Sequence, residues 1–177
     1  MSLPKFILVL GGAASGKSSF AESLCFQSPK SRVYIATAQG FDNEMRAKIS
    51  DHRSQRGPEW LTIEAPLNVA SALSTCSAKQ IVLLDCATLW LSNVLLADED
   101  AAIASATLLA ALATCPAQVI VVSNEVGHGI VPDNKLTRQF RNAQGRLNQL
   151  LAARADLVVQ VTAGLPQTLK GEAGMLI

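Results

Sequence analysis

The chain of 177 residues has the length of one domain, expected to span residues 1–177, and with 49% apolar residues it can bury a core of its own. Its 15 basic and 14 acidic side chains leave a formal charge of +1, which argues against a nucleic-acid partner and against an electrostatically bound membrane surface. Cys25, Cys76, Cys86 and Cys115 form no C-x-x-C pair, which argues against zinc and a disulfide framework and fits free thiols in a reducing cytoplasm.

The first element is the apolar run Phe6–Leu10, read as a buried strand. It is too short to span a membrane and merges directly with GGAASGKSSF, so it is not read as a signal peptide. Gly11–Ser18 fits the phosphate-binding pattern G-x-x-x-x-G-K-[ST], with a strand before it and a predicted helix, Lys17–Phe26, after it. In that setting Gly11, Gly12, Ala13, Ala14, Ser15 and Gly16 turn backbone N–H groups around a polyphosphate, and the helix adds the positive end of its dipole. Lys17 reaches the β/γ-phosphates, and the Ser18 hydroxyl serves Mg²⁺. A glycine-rich turn that binds nothing is disfavoured, because pattern and context agree.

Further along, Arg32–Thr37 reads as a second strand. Asp42 is placed to cap a helix running to about Arg56. Trp60–Glu64 alternates as a short strand, and Pro66 opens a small helix carrying Leu67, Ala70 and Leu73. Ile81–Asp85 is a continuous apolar run ending in an acid, the form of a buried parallel strand. Helices follow near Thr88–Leu96 and Asp100–Ala113, then a strand at Val119–Ser123. Asp133–Arg154 is a long amphipathic helix with Leu136, Phe140, Ala143, Leu147 and Leu150 on its stripe. Leu157–Val161 is the last clear strand, and the tail to Ile177 adds an edge strand or hairpin.

Alternating strands and helices predict an α/β fold, a P-loop NTPase-type three-layer sandwich with a mostly parallel sheet. Ligands on such sheets sit beyond the carboxyl ends of the strands, which gathers the P-loop, Thr37, Asp85 and Asn124-Glu125 on one rim. Strand order does not follow from periodicity.

Asp85 occupies the position of the acid that holds Mg²⁺ in P-loop enzymes; the plainer reading is a strand-end acid capping a turn. No Asn-Lys-x-Asp stretch is present, and spacing leaves ATP and GTP open. Met45, Ile49, His52 and Arg56 share a helical face, so His52 reads first as the partly buried end of an apolar stripe. The neighbouring Lys48, Arg53 and Arg56 also attract polyphosphate and disfavour protonation of the imidazole, which leaves a ring nitrogen free to attack phosphorus. His128 and the segment Asn124–Pro132 divide between turn chemistry and substrate contact. Three functions stay open on these residues: a nucleotidyl-transferring kinase, a small-molecule kinase of one activity, and a nucleotide-sensing module.

Together the motifs resemble one family, the bifunctional adenosylcobinamide kinase/adenosylcobinamide-phosphate guanylyltransferases of cobalamin biosynthesis. The matching pieces are GGAASGKSSFAE, YIATAQGFDNEMRAKISDHRSQRGPEW, LLDCATLWLSNVL and VSNEVGHGIVPDNKLTRQFRNAQGRLNQLLA, in family order over nearly the whole chain. The resemblance implies phosphorylation of the aminopropanol hydroxyl of adenosylcobinamide by a nucleoside triphosphate, then transfer of GMP from GTP through a guanylylated histidine. That histidine matches His52, which with Lys17 and Asp85 makes the catalytic set. The expected nucleotide-binding set is the P-loop with Thr37, Arg53, Arg56, Glu64 and Asp85, the two arginines facing the α-phosphate; Ser18 and Asp85 hold the Mg²⁺. The resemblance further implies ATP and GTP as substrates, a cytoplasmic enzyme and a homotrimer.

Overall fold

The computed structural model describes residues 3–39 and 57–172. The helix expected from Asp42 to about Arg56 lies outside them, and so do His52, Arg53 and Arg56.

In chain order the elements are β1 (Phe6–Gly11), α1 (Lys17–Gln27), β2 (Ser31–Ala36), β3 (Trp60–Glu64), α2 (Val69–Ser74), β4 (Gln80–Asp85), α3 (Ala87–Leu96), α4 (Ala101–Thr114), β5 (Gln118–Asn124), α5 (Lys135–Arg154), β6 (Leu157–Thr162) and β7 (Leu165–Lys170). The strands form one seven-stranded sheet in the order β3-β2-β4-β5-β1-β6-β7. Every pairing is parallel except β6 with β7, so the expected tail hairpin is present.

The apolar strands are continuous because both faces of the sheet are covered. On one face Ile7, Val9, Leu83, Ile120 and Val122 pack against Ala21, Leu24 and Cys25 of α1. On the other, Leu8, Leu10, Leu84, Val119 and Val121 meet Val69 and Leu73 of α2, Trp90 and Leu91 of α3, Leu108 of α4, and Leu147 and Leu151 of α5. The period of two along each strand sorts the side chains into these two half-cores.

The caps follow from local chemistry. Asp100 accepts from the N–H groups of Ala102 (2.7 Å) and Ile103 (3.0 Å), and Asn134 accepts from Thr137 N–H at 2.9 Å. Two details differ from the sequence reading. Asn68, not Pro66, precedes the first turn of α2, and Leu67 stays outside the helix, where its carbonyl accepts from Trp90 Nε1 at 2.9 Å. The stripe of α5 is rotated: Leu136 and Leu150 are exposed, while Gln144 and Asn148 join Leu147 and Leu151 in the interior. Polar groups on β5, Ser123 Oγ and the Asn124 carbonyl, draw those two amides inward.

Strand order creates the crevice. β1 has β5 on one side and β6 on the other, so the chain leaves β1 in one direction and returns on the opposite side. Loops diverge at such a switch point and leave room for a ligand. Register aligns the strand ends there: Gly11 faces Asn124, Val122 faces Asp85, Asp85 faces Ala36, and Ala36 faces Glu64.

Candidate active site

The P-loop emerges from β1 and turns through Ala14 (φ 53°) and Gly16 (φ 90°) before α1 begins. Ser15 N–H closes onto Gly12 O at 3.3 Å and Phe20 N–H onto Gly16 O at 3.0 Å. Gly11 has no room for a side chain, since a Cβ there would lie 2.7 Å from the Val161 carbonyl oxygen. Lys17 folds back over the loop, its Nζ donating to Gly12 O at 3.0 Å. Two neighbours brace the loop: Gly164 N–H donates to Ser15 O at 2.8 Å, and Glu125 N–H donates to Gly11 O at 3.1 Å.

Asp85 ends β4 two strands away from the P-loop, with β5 between them. Tyr34 Oη donates to Asp85 Oδ2 at 3.2 Å. Tyr34 is fixed in turn by an edge-on contact with Trp60, ring centroids 6.0 Å apart, and Trp60 meets Phe26 in the same way. Ser18, in the first turn of α1, and Asp85 both offer hard oxygen atoms, the donors that Mg²⁺ takes together with substrate phosphates.

Thr37 is expected among the nucleotide contacts, but its side chain is already committed. Thr37 is fully buried; its hydroxyl donates to Cys86 O and accepts from Cys86 N–H, both at 2.8 Å. Its carbonyl accepts from Asn93 Nδ2 at 2.8 Å. Thr37 therefore ties the end of β2 to the turn after Asp85 and holds that acid in place. Burial, and secondarily the Asp85 charge, pushes the Cys86 thiol up to about 11, so it stays protonated and inert at neutral pH. Glu64 stands exposed at the sheet's edge on the same rim. His128 is exposed in the loop after β5. Of the α5 arginines, Arg138 closes its own N-terminal loop, donating to Pro132 O at 2.9 Å.

A buried polar cluster lies beneath β5. Ser123 Oγ donates to Asn148 Oδ1 at 2.6 Å and accepts from Gln144 Nε2 at 2.8 Å. Thr88 Oγ1 lies 3.4 Å from Ser123 Oγ and accepts from Asn124 N–H at 2.7 Å. Asn148 Nδ2 donates to Asn124 O at 3.0 Å. Sequence reasoning missed Thr88, Gln144 and Asn148. Their one signal was a pair of carboxamides at i and i+4 in an otherwise amphipathic helix, which reads equally well as a solvated face.

No helix among the described residues is long and apolar enough to cross a membrane. Among solved structures, the fold is shared with an ATPase from the type III secretion system of pathogenic bacteria (TM-score 0.58, 9% identity, covering 99% of this chain and 61% of that one). A Pyrococcus horikoshii OT3 protein matches at the same TM-score of 0.58 and 9% identity, covering 99% and 91% of the two chains. At such identities the likeness concerns the fold alone.

Sequence relatives are more specific. The bifunctional adenosylcobalamin biosynthesis protein CobP of Pseudomonas aeruginosa is 45% identical over 168 residues, covering 93% of this chain and 97% of its own. The bifunctional adenosylcobalamin biosynthesis protein CobU of Salmonella typhimurium is 42% identical over 180 residues, covering 93% and 99%. The family model described as cobinamide kinase / cobinamide phosphate guanyltransferase matches residues 7–169. With its P-loop rim and this match over most of its length, the chain belongs to the cobinamide kinase / cobinamide phosphate guanyltransferase family, bifunctional enzymes of adenosylcobalamin biosynthesis.

Proposed function

We propose that the two family reactions use the rim formed by Gly11–Ser18 and Asp85, with His52 as the covalent carrier of GMP. In the kinase step the aminopropanol hydroxyl of adenosylcobinamide attacks the γ-phosphorus of a bound triphosphate. A new O–P bond forms, the bond to the β,γ-bridging oxygen breaks, and the nucleoside diphosphate leaves. The P-loop N–H groups and Lys17 hold the β- and γ-phosphates in line for that displacement. Mg²⁺, when bound, would be held by Ser18 and Asp85 and would neutralise phosphate charge.

In the second reaction a neutral ring nitrogen of His52 attacks the α-phosphorus of GTP and pyrophosphate leaves. The GMP on nitrogen then passes to the phosphate of adenosylcobinamide phosphate, giving adenosylcobinamide-GDP. A phosphoramidate intermediate divides one difficult transfer into two displacements. Arg53 and Arg56 stabilise the α-phosphate, and Glu64 contributes to the nucleotide site from the edge of the sheet. Thr37 supports this site through Cys86. His52, Arg53 and Arg56 rest on the matching motif, since they lie outside the described residues.

The single observation that carries the reading is the register placing Gly11, Asn124 and Asp85 along one rim at the switch point. We further propose one catalytic domain, cytoplasmic and homotrimeric. The apolar surface of Ile130 (94% exposed), Val131 and Leu136 suits contact between copies.

The test is transfer of label from the α-phosphate of GTP to the protein. The wild-type bond is expected to be acid-labile and base-stable. His52→Ala is expected to abolish labelling while sparing phosphorylation of adenosylcobinamide; label retained in that variant removes His52 as nucleophile.

A further inference from the structure

Asn124 has an unusual combination of a tightly held main chain and an uncommitted side chain. Its N–H donates to Thr88 Oγ1 at 2.7 Å, and its carbonyl accepts from Asn148 Nδ2 at 3.0 Å. The next N–H, that of Glu125, donates to Gly11 O at 3.1 Å. Three bonds from three different elements thus fix where its Cα stands. Yet Asn124 Oδ1 is buried and accepts no hydrogen bond, and no described residue bonds its Nδ2. The side chain is therefore uncommitted among the described residues, and its NH₂ group is available to donate to a ligand.

The pleat shows where this side chain is aimed. Along β5, Val119 and Val121 belong to the half-core of α2–α5, and Ile120 and Val122 to the half-core of α1. Ser123 continues the first set, as its bonds to Gln144 and Asn148 confirm. Asn124 continues the second, on the face of the P-loop helix. In register it stands directly beside Gly11, roughly 5 Å away by ordinary strand spacing. Asp85 pairs with Val122, one pleat back on the same face. β5 runs between the strand that carries the P-loop and the strand that carries Asp85. The part of a triphosphate bracketed by Lys17 and such an acid is its β/γ end.

The geometry points to Asn124 as a phosphate-contacting residue of the kinase step, its Nδ2 donating to an oxygen of the phosphoryl group being transferred. The inference rests on the P-loop rim being the kinase site. A carboxamide suits this role because it donates two N–H groups and adds no charge. A donor fixed by its main chain before the substrate arrives needs little reorganisation when charge spreads over the phosphoryl oxygens. Thr88 and Asn148 are positioning residues, acting through the main chain of Asn124.

The experiment measures γ-label transfer from ATP to adenosylcobinamide by wild type, Asn124→Ala and Asn124→Asp. Asn124→Ala is expected to lower kcat by about 10- to 100-fold, with the KM for adenosylcobinamide changed little. Asn124→Asp keeps the shape but sets a carboxylate against phosphate, so it is expected to be the slower of the two. A scaffold role predicts the reverse order, because the isosteric variant packs better. Asn124→Ala within twofold of wild type, or Asn124→Asp faster than Asn124→Ala, overturns the inference. Wild type that transfers no γ-label sinks the kinase reading instead. A second measurement needs no variant to fold: the side-chain NH₂ resonances of Asn124 in the wild-type protein are expected to shift when a non-hydrolysable ATP analogue is added. Unmoved resonances at saturation overturn the inference on their own.

Discussion

Gly16 of the P-loop and Gly164 of the β6–β7 turn sit in direct contact: a Cβ on Gly16 would lie 3.2 Å from Gly164 Cα. Ala163 (φ 51°) and Gly164 (φ 80°) are the two central residues of that hairpin turn, both left-handed as a tight hairpin requires. The turn carries the Gly164 N–H to Ser15 O, so the last hairpin buttresses the first loop.

This contact predicts that Gly164→Ala destabilises the fold by about 1–2 kcal/mol, from the left-handed backbone alone. Gly16→Ala is expected to cost more, because it adds a close contact to the same backbone strain. Both are expected to weaken ATP binding several-fold, read by titration calorimetry alongside thermal melts. Unchanged nucleotide affinity in Gly16→Ala would show that the hairpin does not brace the loop.

Asp85 and Tyr34 separate in their expected effects. Asp85→Asn removes the negative oxygen and is expected to lower phosphoryl transfer by about 100-fold or more, the scale lost with a principal electrostatic group. Tyr34→Phe removes one hydrogen bond to Asp85 and keeps the aromatic packing, so a loss of less than about tenfold is expected. Steady-state kinetics with saturating ATP distinguish them, and equal losses would contradict the assignment of Asp85 to the reacting phosphates.

The buried amides of α5 make opposite demands on stability. Asn148→Leu strips partners from Ser123 Oγ and from the Asn124 carbonyl, and is expected to cost about 2–4 kcal/mol. Gln144→Met removes the two hydrogen bonds of Nε2, whose acceptors Ser123 Oγ and Asn148 Oδ1 keep each other as partners, and also removes a buried oxygen that has no partner, so the cost is expected to be smaller, about 1–2 kcal/mol. Urea unfolding midpoints test the order.

Burial raises the Cys25, Cys76 and Cys86 thiols, so stability is expected to fall at alkaline pH, with Cys25 and Cys86 contributing most. Burial pushes Cys25 up to about 12 and Cys86 up to about 11, from an ordinary value of 9.0. Between those values the unfolded chain loses thiol protons that the folded chain keeps, so unfolding is favoured as pH rises. Their contribution to stability is complete below about pH 9 and declines toward pH 11–12. The urea midpoint is expected to fall between pH 8.5 and 10.5 (about two units), and less so in Cys25→Ala after allowance for its lower starting stability. Native protein at pH 8 is expected to resist thiol reagents at both positions.

The phosphate-binding loop and the strand-end polar residues of the candidate site were legible because their signals are local. The P-loop declares itself through glycines whose backbone freedom the turn requires, followed by a lysine at a fixed step. β4 and β5 declare themselves as apolar runs closed by a polar residue, so Asp85 and Asn124 could be placed at strand ends. A shared helical face and its cations singled out His52, Arg53 and Arg56, the family motifs implied their roles, and all three lie outside the described residues. Less legible was the true stripe of α5: Leu136 is exposed and Gln144 and Asn148 are buried because Ser123 Oγ and the Asn124 carbonyl on β5 take hydrogen bonds that these amides complete. Thr37 likewise looks like a rim contact until Cys86 is seen to take both ends of its hydroxyl.

The amino-acid sequence by itself determined the α/β alternation, the phosphate loop and the family chemistry, because each depends on residues adjacent along the chain. Tertiary structure alone decided that β5 lies between the P-loop and Asp85, that Gly164 props the loop from the far end of the chain, and that Asn124 is pinned beside Gly11. Those are pairings between residues far apart along the chain; which strand lies beside which is settled by the packing of both half-cores at once, and no local pattern encodes it.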